Sequence, residues 1–309
     1  MHNDRALEQW ERRARRARAV ALWDGLDAAA RRVWPTADGR PAEEVRFPGE
    51  VRVAIAGDWE SEEARVFPHL RRLHRVAPDV RTVLHLGDVR WAAPRSSVGR
   101  KVHEATGFIP RLDRALAESG IDRLIVVPGN HEWWDRLHEE FADNPRRFFR
   151  VAQRIWIAPR GMRFTLGGRR YLCMGGAASL EGDRGPFEVP SEVEIDDAIA
   201  GGPADVLLTH EALNVGIDEV VREIGRPGPW APDRRAASFI SRARVTRLFE
   251  AVQPELALFG HMHVAGSKSV GDSAVHCLNA IGEKGGHHMG LLSIDDLHIA
   301  WIDDLRDTS

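Results

Sequence analysis

From Val51 onward the chain repeats one pattern: a short run of β-branched residues and leucine, a polar residue at its end, then a stretch with helical spacing. The apolar runs are residues 51–56, 82–86, 124–127, 205–209 and 255–259. Near-continuous apolarity of this kind marks strands buried on both faces. Between them, residues 62–77, 102–118 and 238–252 have the length and the three-and-four spacing of helices. The alternation predicts an α/β fold. Gly167 and Gly168, set between the runs 163–166 and 169–174, predict a two-residue hairpin, and short strands broken by Gly and Asp are expected after Val264. Residues 178–190 and 211–235 show no period and read as long loops, which in a compact domain are often functional.

Ahead of this region, Leu7, Trp10, Ala14, Ala17 and Ala21 recur at helical spacing, predicting a helix over residues 4–34 with a face of Arg12, Arg13, Arg15, Arg16 and Arg18. Pro, Gly and acidic residues follow over 35–48. We therefore divide the chain into an N-terminal helical extension and linker, residues 1–45, and a main domain, residues 46–309. The basic face reads as solvated; without interleaved aromatics it is weak ground for a nucleic-acid contact, which stays open but not favoured.

Composition narrows the classes. With 43% apolar and 29% charged residues the chain has a globular profile, and 43 basic against 46 acidic residues leave no global field that draws it to nucleic acid or an anionic membrane. No apolar run approaches the roughly 20 residues needed to span a bilayer, nor the roughly 7–15 of a signal-peptide core near the N-terminus. Cys173 and Cys277 are too few for a disulfide framework or a cysteine-built zinc site, which points to a reducing, cytoplasmic setting.

The strand ends carry the chemistry. In order they read Gly57, Asp58, Trp59, Glu60; Gly87, Asp88; Gly129, Asn130, His131, Glu132; Thr209, His210, Glu211; and Gly260, His261, Met262, His263. In an α/β sheet, ligands gather at the carboxyl ends of strands, so these residues are expected to meet in one crevice. Oxygen and imidazole donors suit Mn, Fe, Zn, Ni or Co better than a thiol-preferring ion or a calcium cage.

These segments resemble the calcineurin-like metallophosphoesterase superfamily, whose pattern runs DxH, GD, GNH followed by an acid, a lone His after a strand, and GHxH. Residues 154–161, followed by Gly175, Gly176 and Ala177, resemble a bacterial and phage-type branch of it. The resemblance implies a four-layer sandwich of two mostly buried mixed β-sheets flanked by helices. It implies two divalent metal ions bridged by Asp88, the first held by Asp58, Glu60, Asp88 and His263, the second by Asp88, Asn130, His210 and His261. One position departs from the pattern: the third residue of DxH is Glu60 rather than His. A carboxylate there is a longer and harder donor, which either turns the first site toward Mn or Mg, weakens it, or leaves it empty; Mn is our preferred metal.

The expected activity is that of a phosphoric ester hydrolase acting on a phosphodiester or phosphomonoester, a small nucleotide-type substrate by preference, through a metal-bridging hydroxide. Two ions roughly 3.5–4 Å apart would neutralise the phosphoryl oxygens and acidify the attacking water. His131 is placed to protonate or stabilise the leaving oxygen, and Glu132, or another acid, to orient that imidazole. The rivals are a catalytically weak module that binds a phosphorylated ligand, with Glu60 compromising one site, and a nuclease. His276, His287 and His288 lie outside the pattern and read as satisfied or solvated; Trp59, Trp91, Trp133 and Trp134 read as core or rim packing.

Overall fold

The structure, a computed structural model, describes residues 44–92, 105–180, 185–226 and 230–305; the N-terminal helix expected over 4–34 lies outside them. Successive residues of a strand point to opposite faces, and the apolar runs use both. In β1 (Arg52–Ala56), Val53 and Ile55 enter one core while Ala54 and Ala56 enter another. In β2 (Thr82–His85) and β3 (Arg123–Val126), Leu84 and Ile125 join the former, Val83, Leu124 and Val126 the latter. Such strands must be covered twice, and they are.

The first sheet has the order β13-β12-β1-β2-β3-β5-β4, completed by β4 (Phe149–Arg150), β5 (Ile155–Ile157), β12 (Met289–Ser293) and β13 (Ile299–Trp301). The second has the order β10-β11-β9-β8-β7-β6, from β6 (Arg163–Leu166), β7 (Arg169–Met174), β8 (Val206–Thr209), β9 (Leu256–Phe259), β10 (Gly266–Val270) and β11 (Ser273–Cys277). Both are mixed: β1, β2, β3 and β5 run parallel, as do β7, β8, β9 and β11, with antiparallel strands outside them. The predicted Gly167-Gly168 hairpin joins β6 to β7.

The sheets face each other across a core built from Val53, Ile55, Leu84 and Ile125 on one side and Tyr171, Cys173, Val206, Leu208 and Leu258 on the other. Helices α1 (Glu63–Val76), α2 (Ala105–Glu118) and α3 (Trp134–Asp143) cover the outer face of the first sheet through Leu70, Leu112 and Leu137. Helices α4 (Glu192–Ala200), α5 (Asp218–Gly225) and α6 (Pro232–Val252) cover the second through Ile195, Val220 and Leu248. The result is the four-layer α/β sandwich that the family resemblance implies. Cys173 and Cys277 are free and buried in the strands, as expected of small core residues. Among the described residues no helix is long and apolar enough to cross a membrane.

One segment departs from expectation. Residues 211–235 are not a single loop: they contain α5 and the start of α6. A helix of 8 residues is too short to display a period, and Pro232, which reads as a breaker, is the first residue of α6, where its missing N–H costs nothing. Helix α4 also escaped the periodicity, although its Ser191 and Glu194 form a reciprocal capping box legible as S-x-x-E. Val45, assigned above to the linker, is buried, and its amide donates to Thr165 O at 2.9 Å.

Candidate metal centre

The parallel register aligns the strand ends. Ala56 lies beside His85, and His85 beside Val126, so the loops after β1, β2 and β3 emerge side by side. The loops after β8 and β9 emerge from the facing sheet. Two hydrogen bonds stitch the sheets together there: His210 Nδ1 meets Leu86 O at 2.6 Å, and His261 N donates to the Asp58 carboxylate at 3.2 Å. The crossing is so close that it dictates glycine. Gly87 has φ 106° and a Cβ on it would collide with the His210 ring; a Cβ on Gly129 would strike the Asp88 carboxylate. Glu60, Asp88, His261 and His263 adopt left-handed backbone, φ 50°, 56°, 68° and 52°. Such conformations are costly for non-glycine residues and gather where the surrounding structure over-determines a functional geometry.

Asp58, Glu60, Asp88 and His263 each bring one donor atom within 4.8 Å of the others. His263 Nε2 stands 3.1 Å from Asp58 Oδ2 and 3.6 Å from Glu60 Oε1. On the other side of Asp88, His210 Nε2 lies 3.5 Å from Asp88 Oδ2 and 2.9 Å from Asn130 Oδ1. The His261 ring follows, 4.9 Å from that of His210 between centroids. The structure thus gathers all seven residues proposed as ligands in one place, with Asp88 in contact with members of both sets.

The donor set fits divalent cations. His261 Nε2 and Glu60 Oε1 are buried without a hydrogen-bond partner, and buried polar atoms are seldom left so. Charge is also unbalanced. Burial pushes the Asp88 carboxyl up, and Glu60 and Asp58 add to this against the pull of His210 and His131. Burial works against ionised Asp58 too, but the His263 hydrogen bond and the charges of His210, His263 and His261 hold it well below the usual carboxylate range. His263, against the effect of its burial, is raised to about 9 by its hydrogen bond to Asp58 and by the nearby carboxylates. The imidazolium supplies positive charge that a divalent ion would supply instead, since only neutral imidazole ligates a metal.

The supporting contacts differ from expectation at Glu132. Its buried carboxylate accepts from the backbone amides of Asp88 at 3.0 Å, Arg90 at 2.8 Å and Gly129, clamping two strand-end loops together. The carboxylates facing the His131 imidazole are those of Glu60, 3.2 Å from Nδ1, and Asp88, 3.7 Å from it. Asn130 is held by Ser179 Oγ at 2.8 Å, itself bonded to Glu188 at 2.9 Å. Glu211, fully buried, accepts from Ala178 N and Ala212 N, with Oε1 3.9 Å from His261 Nε2. Arg90, which sequence reasoning did not single out, donates to Glu60. Arg160 lies over the Trp134 ring at 3.9 Å while Trp134 Nε1 donates to Gly129 O at 2.7 Å. Its signal in the chain is an arginine followed by glycine just after an apolar strand.

These contacts set the outcome expected for Glu60→His. Glu60 is the anionic partner of Arg90 and His131 as well as a member of the carboxylate cluster. A neutral imidazole would leave the Arg90 guanidinium uncompensated beside any cation, so metal affinity should fall by roughly the 10–100-fold seen when a ligand's supporting contacts are lost. Titration of metal-stripped protein with Mn reads this directly; tighter binding in the variant would mark Glu60 as a damaged ligand.

A two-sheet α/β sandwich with a carboxylate and imidazole cluster at the shared carboxyl ends of its strands has the layout of a metallohydrolase. A sequence model of the calcineurin-like phosphoesterases matches residues 51–265, and the chain belongs to that family. No curated protein matches it. Solved structures resemble it at the level of the fold. One crystal structure overlaps with a TM-score of 0.52 at 16% identity, covering 81% of this chain and 97% of the other. A Thermus thermophilus protein overlaps at 0.47 and 16% identity, covering 81% and 98%. A dimetal phosphatase from Danio rerio overlaps at 0.45 and 11% identity, covering 80% and 93%.

Proposed function

We propose that this protein is a dinuclear metal-dependent phosphoesterase, hydrolysing a phosphodiester or phosphomonoester of small nucleotide type. The observation that carries this reading is Asp88, flanked by Asp58, Glu60 and His263 on one side and by Asn130, His210 and His261 on the other. The chemistry that two divalent ions supply in such a cradle is neutralisation of the phosphoryl oxygens and acidification of the attacking water. The protein's own groups do the rest. Glu60 Oε2 fixes the His131 ring at Nδ1, which leaves Nε2 to carry a proton to the leaving oxygen. Trp91 and Trp133, half-buried with ring centroids 5.6 Å apart, sit on the loops that carry Asp88 and His131 and offer aromatic surface for a base. Mn remains the preferred metal because of the oxygen donor at Glu60, and the two buried thiols accord with a cytoplasmic setting. Glu60 stands among the other donors, which supports a working centre over the ligand-sensing alternative.

The test is hydrolysis of bis(p-nitrophenyl) phosphate by metal-stripped protein. Activity should be absent after chelation and return with Mn. Folded protein that stays inactive with Mn on this diester, and on p-nitrophenyl phosphate, would overturn the proposal.

A further inference from the structure

A second cluster of metal-ligating side chains lies outside this centre. His69 on α1, His288 just before β12 and Asp303 in the short 3-10 turn Ile302–Asp304 bring one donor atom each within 4.8 Å of one another. We infer that these three residues form a separate site for a transition-metal ion of the zinc type, tying the C-terminal turn and the approach to β12 onto α1.

The donors are prepared for this. His69 Nδ1 lies 2.7 Å from Arg65 O, which fixes the proton on Nδ1 and leaves the Nε2 lone pair free. A carbonyl behind an imidazole is the usual way a histidine ligand is oriented. His288 is only 7% exposed, its ring meets that of His69 edge to face at 4.5 Å, and its Nε2 has no hydrogen-bond partner. Asp303 Oδ2 stands 3.8 Å from His288 Nδ1, and the Asp303 side chain reaches solvent, giving an ion a way in.

The metal class follows from the same neighbours. Arg72, whose Nη2 donates to Leu305 O at 2.8 Å, places a positive charge close by. It works against an ion held by electrostatics alone, such as Mg or Ca. Two imidazoles and one carboxylate with an open position match Zn, which forms strong bonds to nitrogen. His288 O accepts from Gly57 N at 3.0 Å, so an ion here would also brace the residue that precedes Asp58.

The test uses the full chain, stripped of metal and dialysed against Zn, with bound zinc measured in wild type, His69→Gln and Asp303→Asn. Both side chains are at least partly accessible, so the fold should survive, as circular dichroism will check. Each variant should hold about one zinc ion fewer per chain than wild type. Because only the difference is read, the result does not depend on how many ions the Asp88 centre takes. Zn added to wild type should also shift the ring NMR signals of His69 and His288, a readout that needs no variant. Equal zinc content in folded variants, or unmoved His69 and His288 signals, would overturn the inference.

Discussion

Asp88→Asn should bring hydrolysis of bis(p-nitrophenyl) phosphate to background, a loss beyond about 10³-fold, since losing a ligand's supporting contacts alone costs roughly 10–100-fold. Asp88 touches His210 on one side and belongs with Asp58, Glu60 and His263 on the other. An amide in its place withdraws one negative charge from both sets and turns an NH2 toward donors that need an acceptor or a cation. The variant is a clean one structurally. Position 88 has φ 56°, a conformation that Asn tolerates as well as Asp. The carbonyl of Asn can still accept the 2.8 Å hydrogen bond from His131 N that Asp88 Oδ1 now receives. Kinetics on folded variant, with bound metal measured by mass spectrometry, should therefore show activity and metal lost together. Near-normal turnover would remove Asp88 from the centre of the proposed mechanism.

That the site can be described by residue at all reflects how the chain encodes it. The strands that position it are buried on both faces, so each appears as an apolar run, and the donor follows directly at the strand end. Alternation within each run is what separates Val53 and Ile55 from Ala54 and Ala56. What surrounds the donors was less legible. Glu132 sits next to His131 in sequence, which suggests a contact between the side chains, but its carboxylate turns back to the amide of Gly129 on its own loop and to those of Asp88 and Arg90 on the neighbouring one. Arg90 and Arg160 act through tertiary contacts with Glu60 and with the Trp134 ring, and nothing local to either residue specifies its partner. Helices α4 and α5 have 9 and 8 residues, too few turns for a hydrophobic period, and only α4 announces itself through its cap. His288 read as a bystander because His69, with which it is grouped, is far away along the chain.

Having Glu in place of His at position 60 changes more than one ligand, and the consequences run through His131. With histidine there, the neighbouring imidazole would have no anion in this position to hold it. With Glu60, a single carboxylate group faces Arg90, His131 and His263 at once. Burial opposes its ionisation, yet the His131 hydrogen bond and the charges of His131 and Arg90 hold its pKa below the ordinary value. The departure from the family pattern thus couples the cluster of candidate metal ligands to the group proposed as the acid.

That coupling makes His131→Ala the second decisive experiment. The contact that orients Asp88 comes from the backbone N–H of His131, at 2.8 Å to Oδ1, and survives in alanine. Glu60 loses one partner and keeps Arg90. Metal content should therefore match wild type while turnover falls by roughly the 10²–10⁴-fold typical of a lost general acid. The leaving group supplies the sharper reading. p-Nitrophenolate departs without much help from a proton, whereas an alkoxide needs one, so the loss should be larger on an alkyl phosphodiester than on bis(p-nitrophenyl) phosphate. Equal losses on both would reduce His131 to an electrostatic or positioning role. Loss of metal from the variant would instead place the His131 side chain in the structure of the centre and leave the proton donor to another group.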